Sequence, residues 1–235
     1  MSELLKINNL WGGYQEGVDI LRGISMEVQQ GEAVGIIGLN GSGKSTFGKA
    51  IMNMIPIRRG EIVYKGEDIT TLSTSELSHR GISIMQQGGR VFPNLSVWDN
   101  IQLASNYLLD KDQRSKINGI IPLLQRPKKE LQHLTADKLS GGQKHQLSLA
   151  MTLATNPSLV ILDEPSAGLS PKAVEEMYTI LEIVKKNLGI SIILIEQNIH
   201  HAIEFCSWVL LIKQGGIEQE FFSKNLLDIE LVMFK

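Results

Sequence analysis

The sequence predicts an α/β fold whose core is a largely parallel sheet. Short runs with strand character alternate with helical segments along the 235 residues, as in chains built from strand–helix–strand units. The runs 33–37 and 159–162 are almost continuously apolar, which favours strands that are buried on both faces. A glycine-rich loop that ends in Gly-Lys-Ser-Thr follows the first run and precedes a helical segment.

Composition and charge limit the classes of function. The net charge of −2 argues against nucleic acid as a partner, because phosphate binding needs clustered Lys and Arg. Cys206 is the one cysteine, so an internal disulfide is impossible, which fits a reducing compartment. The N-terminus lacks the apolar segment of a signal peptide, and no apolar run approaches the ~20 residues that span a bilayer. We therefore expect a cytoplasmic protein.

Alternating apolar residues and turn signals define the predicted strands. The run 20–28 alternates in part and ends at Gln-Gln-Gly, and the run 61–64 leads to a turn at Gly66. The predicted strands are 4–10, 20–28, 33–37, 61–64, 81–85, 159–162, 191–195, 208–212 and 217–222.

Good helix formers and amphipathic spacing define the predicted helices, as in 171–187, where the apolar residues share one face. The predicted helices are 46 to about 53, 75–80, 97–109, 112–124, 141–155, 171–187, 199–205 and 223–235. From about 92 to 135 the strand signals stop, which indicates a helical insertion. Within it, Pro-Lys-Lys-Glu at 127–130 is predicted to be a surface break, that is, an exposed interruption of the helical structure.

The loop between the predicted strand 33–37 and the first helix has the pattern G-x-x-x-x-G-K-[ST]. Its glycines allow backbone N–H groups to turn inward around an anion, and the following helix adds its positive end. Lys44 can reach the outer phosphates of a nucleoside triphosphate, and the Ser45 hydroxyl can ligate Mg²⁺. The predicted nucleotide-binding residues of this phosphate loop (38–46) are Gly38, Asn40, Gly41, Ser42, Gly43, Lys44, Ser45 and Thr46.

Two further motifs support nucleotide chemistry. Asp163 and Glu164 follow the apolar run 159–162, and ligand sites of α/β sheets lie at the carboxyl ends of strands. Asp163 is predicted to hold Mg²⁺, and Glu164 to accept a proton from the attacking water. The signature segment, Leu139-Ser140-Gly141-Gly142-Gln143, opens a helix with an N-cap serine and two glycines, an end suited to a second anion contact. An ordinary capped helix is the alternative for the signature segment.

These three motifs, in this order, resemble those of the ATP-binding cassette (ABC) ATPases, over nearly the whole chain. The resemblance implies a P-loop NTPase fold with a RecA-like core, an antiparallel β-subdomain and a helical subdomain at about 93–138. These would form one ATPase domain, 1–235, that uses ATP and Mg²⁺. It also implies a head-to-tail pair of cassettes, in which Ser140, Gly141, Gly142 and Gln143 contact the ATP of the partner subunit.

The same resemblance implies roles for residues outside the three motifs. Tyr14 matches the aromatic residue that stacks on adenine, and Gln87 matches the glutamine that ligates Mg²⁺ and senses the γ-phosphate. Val91, Phe92 and Leu95 match the loop that receives a coupling helix from a membrane permease in importers. A half-buried loop tyrosine and simple packing of the helical subdomain are the respective alternatives.

Subfamily features resemble the ATPases of branched-chain amino acid importers and their relatives for urea and short amides. They are the segments 88–93, 168–171 and Glu196-Gln197-Asn198. Gln197 stands where most ABC ATPases have a histidine that contacts the γ-phosphate. An amide donates a hydrogen bond but carries no charge, so we expect Gln197 to position a phosphate oxygen and Glu164 to act as the base. Met151 and Ser170 depart from the arginine and aspartate that are common in the family.

The sequence therefore predicts the ATP-hydrolysing motor of an importer for branched-chain or hydrophobic amino acids or a related small polar solute. Its expected partners are a second ABC ATPase subunit (the same chain or a paralogue), integral membrane permease subunits and, indirectly, a solute-binding protein. It would lie on the inner face of the membrane through the permease. The alternatives are a non-transport ABC ATPase and an importer motor for another solute. A phosphate-loop kinase would leave the signature segment without a role.

Overall fold

The computed structural model describes residues 2–105 and 117–222. The chain divides into two compact units, one formed by 1–77 and 191–235 and the other by 78–190. None of the described helices is long and apolar enough to cross a membrane.

The first unit contains a four-stranded antiparallel sheet in the order β2-β1-β4-β5. Its strands are β1 (Glu3–Gly12), β2 (Leu21–Gln29), β4 (Ile57–Tyr64) and β5 (Glu67–Asp68). Exposed and buried residues largely alternate along β2, as expected of a strand with one face on the core and one in solvent.

The same unit contains four strands in the order β10-β9-β3-β8. They are β3 (Ala33–Ile37), β8 (Ser191–Glu196), β9 (Trp208–Lys213) and β10 (Gly216–Phe222). β3 is parallel to both β8 and β9, and every residue of β3 and β8 is buried. The helices α1 (Lys44–Ile51) and α7 (Ile199–Phe205) follow β3 and β8. Parallel strands with helical connections place the loop after β3 at a carboxyl edge of the sheet.

The second unit pairs two parallel strands, β6 (Ile82–Met85) and β7 (Leu159–Asp163), with Met85 opposite Leu162. Its helices are α3 (Val97–Ala104), α4 (Lys128–His133), α5 (Gly141–Leu153) and α6 (Pro171–Leu188), with short 3₁₀ turns at Pro122–Gln125 and Ala136–Lys138. Residues 117–120 are also helical. α3 packs on α4 and α5, and α5 packs on β6 and α6. The remaining helix, α2, spans Thr74–His79.

The predicted α/β class is confirmed, but the boundaries of several helices and strands differ from those predicted. β4 begins at Ile57 instead of residue 61, because residues 57–60 pair with β1, a long-range interaction that local sequence does not reveal. The segment predicted as a surface break, 127–130, is exposed, but the break itself is confined to Arg126 and Pro127. α4 begins at Lys128, because the fixed φ of Pro127 suits a helix start and Leu131 is buried. The helix predicted for 112–124 gives way to a 3₁₀ turn at Pro122. The helical tail 223–235 and residues 106–116 lie outside the described residues, and the subdomain boundary at 93–138 stays a prediction.

Candidate nucleotide-binding site

The phosphate loop connects β3 to α1, and three of its glycines have backbone angles in the left-handed region. Gly38, Gly41 and Gly43 have φ values of 152°, 79° and 108°. A Cβ atom on Gly38 would lie 2.3 Å from the carbonyl oxygen of Ile212, so a side chain would collide with backbone there. The glycines are therefore required for the path of the loop as well as for its approach to an anion.

Lys44 is buried, with 4% of its surface exposed, and its ammonium group lies against the loop. Nζ donates to the carbonyl oxygens of Gly38 at 2.8 Å and Leu39 at 3.1 Å. The Ser42 hydroxyl is also buried, and it has no hydrogen-bond partner among the described residues. A buried hydroxyl normally finds a partner, and a phosphate oxygen on this loop would supply one. The loop therefore fits a phosphate group.

The other predicted nucleotide contacts surround the start of α1. Ser45 is half-buried and Thr46 is buried, in the first turn of that helix, while Asn40 is exposed in the loop. Tyr14 lies between β1 and β2 with 51% of its surface exposed, and the Lys49 ammonium lies 5.9 Å from its ring centroid. An exposed aromatic face in the same unit as the loop is available for stacking on a base.

In the second unit, the two predicted carboxylates occupy different environments. Asp163 is the last residue of β7 and is only 3% exposed, whereas Glu164 is half-buried. Glu164 has a φ of 48°, a left-handed conformation that non-glycine residues rarely adopt. The turn closes through a hydrogen bond from the Ala167 amide to the Glu164 carbonyl at 3.1 Å.

Gln87 lies against Glu164. Its amide nitrogen donates to Oε2 of Glu164 at 2.6 Å, and this contact was not predicted from the sequence. The register of the strands explains it, because Met85 pairs with Leu162 and both residues come two positions later. Parallel neighbours end at the same edge, so equivalent positions beyond them meet.

The predicted Mg²⁺ ligands Ser45, Gln87 and Asp163 supply a hydroxyl, an amide oxygen and a carboxylate. Mg²⁺ prefers hard oxygen ligands, and is usually bound by one or two carboxylates together with substrate phosphates. The described residues form no cluster of three or more His, Cys, Asp or Glu that would hold a metal without a nucleotide. The donor chemistry therefore fits Mg²⁺ held jointly by protein and phosphate. Because Gln87 donates through its nitrogen to Glu164, its amide oxygen is the atom left to serve the predicted role as a ligand.

The signature segment leads into α5 and forms a capping box. The Ser140 hydroxyl accepts from the Gln143 amide at 3.3 Å, and the Gln143 side-chain oxygen accepts from the Ser140 amide at 3.0 Å. A cleft of about 600 Å³ is lined by Ser140, Gly141, Gly142 and Gln143 together with Lys172 and other residues of α6 and its preceding loop. Gln143 is thus used structurally in the cap, while Ser140 and Gly141 are exposed on the cleft.

Gln197 and the 91–95 loop are at the surface. Gln197 is exposed directly after β8, and its backbone amide donates to the Glu196 carboxylate at 3.2 Å. Phe92 is 49% exposed, whereas Val91 and Leu95 are half-buried.

Sequence reasoning assigned no role to Asn100, a residue of α3 that is fully buried. Its Oδ1 accepts from the Phe92 amide at 2.8 Å, and its Nδ2 donates to the carbonyls of Phe92 at 3.0 Å and Ser96 at 2.9 Å. One side-chain amide thereby satisfies several backbone groups of the loop that presents Phe92. An asparagine eight residues after a loop aromatic is only a weak sequence signal for this role. The burial of Asn100 and its bonds to the loop backbone are seen only in the structure.

Comparison with known proteins decides the family. Residues 21–167, more than half of the chain, match the family model described as ABC transporter. The chain belongs to the ABC transporter ATPase family. It is 30% identical over 204 residues to the branched-chain amino acid transport ATP-binding protein BraG of Pseudomonas aeruginosa, covering 87% of each chain. It is 29% identical to the probable branched-chain amino acid transport protein LivF of Archaeoglobus fulgidus, covering 97% of this chain and 95% of LivF.

Other ABC proteins are similar at nearly the same level. The lipopolysaccharide export ATP-binding protein LptB of Escherichia coli is 28% identical, over 91% of this chain and 88% of LptB. The ADP conformation of the cassette MJ1267 has a TM-score of 0.80 at 26% identity, with full coverage of both chains. CbiO1 of Clostridium perfringens, part of the cbiONQ transporter complex, has a TM-score of 0.82 at 27% identity, covering 99% of this chain and 93% of CbiO1. The predicted ABC cassette fold and ATP-hydrolase activity are thereby confirmed.

Proposed function

We propose that this ABC ATPase is the motor subunit of an importer for branched-chain amino acids or a related small polar solute. The observation that carries the proposal is its likeness to BraG and LivF over most of each chain. The sequence Glu196-Gln197-Asn198, which resembles that of importer ATPases, supports the same subfamily. A second cassette, identical or paralogous, would complete each ATP site through the signature segment.

Hydrolysis follows from the roles proposed for the site residues. Water attacks the γ-phosphorus in line while the bond to the bridging oxygen of ADP breaks, and the proton of the water passes to Glu164. Lys44 and the loop N–H groups stabilise the charge that develops on the phosphate oxygens. Gln197 donates a hydrogen bond that orients the γ-phosphate. Ser45, Gln87 and Asp163 would hold Mg²⁺, which would supply neutralisation of phosphate charge.

Coupling to the membrane is assigned to the loop that carries Phe92. An aromatic residue about half exposed is suited to anchoring a helix from a partner, because burial of its ring on docking removes apolar area from water. Asn100 holds the loop backbone in place, so the ordering cost of docking is small. The expected partners are permease subunits on the inner face of the membrane and, through them, a solute-binding protein.

The likeness to LptB supports a second candidate, a motor for export. The two are distinguished by co-expressing the chain with candidate permease subunits and measuring solute uptake into proteoliposomes. Uptake of a radiolabelled branched-chain amino acid that requires ATP inside the vesicles and the binding protein outside supports import. ATP hydrolysis without uptake of any tested amino acid, urea or short amide contradicts it.

The docking assignment has its own test. Phe92→Ala is expected to reduce co-purification with the permeases at least about tenfold, in the range of an aromatic interface anchor. Phe222→Ala is the matched control, because Phe222 is 68% exposed on β10. Equal recovery of permease by both variants would refute the role of Phe92.

A further inference from the structure

His145 is a buried residue of α5 for which neither the motifs nor the hydrolysis mechanism provides a role. It is 5% exposed, and its Nδ1 lies 2.8 Å from the carbonyl oxygen of Pro165. A carbonyl only accepts, so Nδ1 carries the proton and donates this bond. α5 begins at the signature segment, so the bond joins the signature helix to the residue after Glu164.

A second segment lies against the same ring. A Cβ atom placed on Gly89 would lie 2.5 Å from Cδ2 of His145, closer than real Cβ atoms approach, and 3.1 Å from Cγ. Gly89 also has a φ of 57°, which glycine adopts without steric cost. The imidazole therefore lies between Gly89, two residues after Gln87, and Pro165, one residue after Glu164.

These contacts bear on the geometry of the Gln87–Glu164 pair. Glu164 has a left-handed backbone, which persists in non-glycine residues only where neighbouring structure holds it. The bond from His145 fixes the next carbonyl in the turn, while packing on Gly89 fixes the segment that carries Gln87. The segments that carry Gln87 and Glu164, whose side chains lie 2.6 Å apart, therefore both contact His145, which lies outside β6 and β7.

We propose that His145 is a positioning residue that holds Gln87 and Glu164 in register with each other and with the signature helix. A displacement of α5 by the partner's ATP then reaches both side chains through one imidazole. The proposal rests on the roles assigned to Glu164 and Gln87 in the proposed function. It assigns His145 no contact with nucleotide or reacting atoms.

The test compares two substitutions that differ in one hydrogen bond. Asn places its amide nitrogen near the position of the histidine Nδ1, so His145→Asn can still donate to Pro165, whereas His145→Ala cannot. We expect His145→Ala to lower kcat for ATP about tenfold, the effect of one buried hydrogen bond, with KM within about twofold. His145→Asn is expected to recover most of kcat. An unchanged kcat in folded His145→Ala, or no recovery in His145→Asn, would overturn the proposal.

Thr152→Ala is the control for loss of a buried side-chain hydrogen bond on the same helix. Thr152 is buried and donates to the Ser148 carbonyl at 2.9 Å, so its substitution removes a bond within α5 and away from the turn. It should leave kcat unchanged. If it lowers kcat as much as His145→Ala does, general destabilisation explains the loss and the proposal fails.

Gly89→Ala tests the other contact and remains informative if His145→Ala does not fold. The added methyl group meets the ring, so kcat should fall with KM little changed, and an unchanged kcat would refute the contact's role.

Glu164→Gln separates this inference from the proposed mechanism. If Glu164→Gln still hydrolyses ATP, the base assignment fails. If it is inactive while His145→Ala is fully active, only the role of His145 fails.

Discussion

The side-chain nitrogen of Gln87 lies 2.6 Å from Oε2 of Glu164, where the parallel strands β6 and β7 end in register. A short bond from an amide to a carboxylate orients both groups. The proposed roles require Gln87 to turn its oxygen to Mg²⁺ and Glu164 to accept a proton from water. This contact is therefore the place where nucleotide binding and hydrolysis would be linked.

Glu164→Gln should preserve ATP binding and lower kcat by about 10²–10⁴, the range for loss of a general base. The amide keeps the shape of the carboxylate but accepts no proton, so an ATP-dependent dimer should accumulate. Size-exclusion chromatography and phosphate release measure the two effects. Glu204→Gln, an exposed substitution on α7, is the control. A Glu164→Gln chain that stays monomeric with ATP and hydrolyses it normally would refute both the base and the shared site.

Gln87→Glu should be more damaging than Gln87→Ala. The added carboxylate would face Glu164 at hydrogen-bond distance, and two such groups cannot both ionise. We expect Gln87→Ala to lower kcat about tenfold and Gln87→Glu to lower it further, with partial recovery at lower pH as the pair shares a proton. Steady-state ATPase profiles measure this, and equal rates for both variants at all pH values would argue against the contact in solution.

Ser140→Arg should cripple hydrolysis while the isolated monomer still binds ATP. The bulky side chain fills the cleft beside Gly141, and loss of the capping box costs about 1 kcal/mol of helix stability. Ser96→Ala is the matched control, because Ser96 caps α3 through the Asp99 amide. Fluorescent-nucleotide titration of the monomer and ATPase assays make the comparison. Loss of ATP binding by the Ser140→Arg monomer would place the signature segment in its own chain's site.

Gln197→His should introduce a new pH dependence. An amide does not titrate, whereas an exposed histidine has a pKa of about 6.5. The plot of kcat against pH should therefore gain a new limb near that pH. Gln197→Ala should lower kcat without adding the limb, since it removes the donor alone. Rates measured from pH 5.5 to about 8.5 give the result. Identical profiles for wild type and Gln197→His would show that this side chain does not face the phosphate.

Local sequence accounts for much of the fold and for the composition of the candidate site. The apolar runs of β3, β7 and β8 predict buried strands because a strand covered on both faces is apolar along most of its length. The phosphate loop is predictable because its glycines and Lys44 serve one local turn. The start of β4 and the Gln87–Glu164 contact escaped prediction because both depend on strand pairing between residues distant in the chain.

The sequence by itself determined the family, the ATP-hydrolysing chemistry and the candidate residues, because each motif is contiguous and its chemistry follows from residue type and spacing. Only the tertiary structure decided which side chains touch. It placed Gln87 on Glu164, made Asn100 the support of the Phe92 loop and buried His145 between Gly89 and Pro165. Such contacts join residues far apart in the chain, and only packing and register specify them.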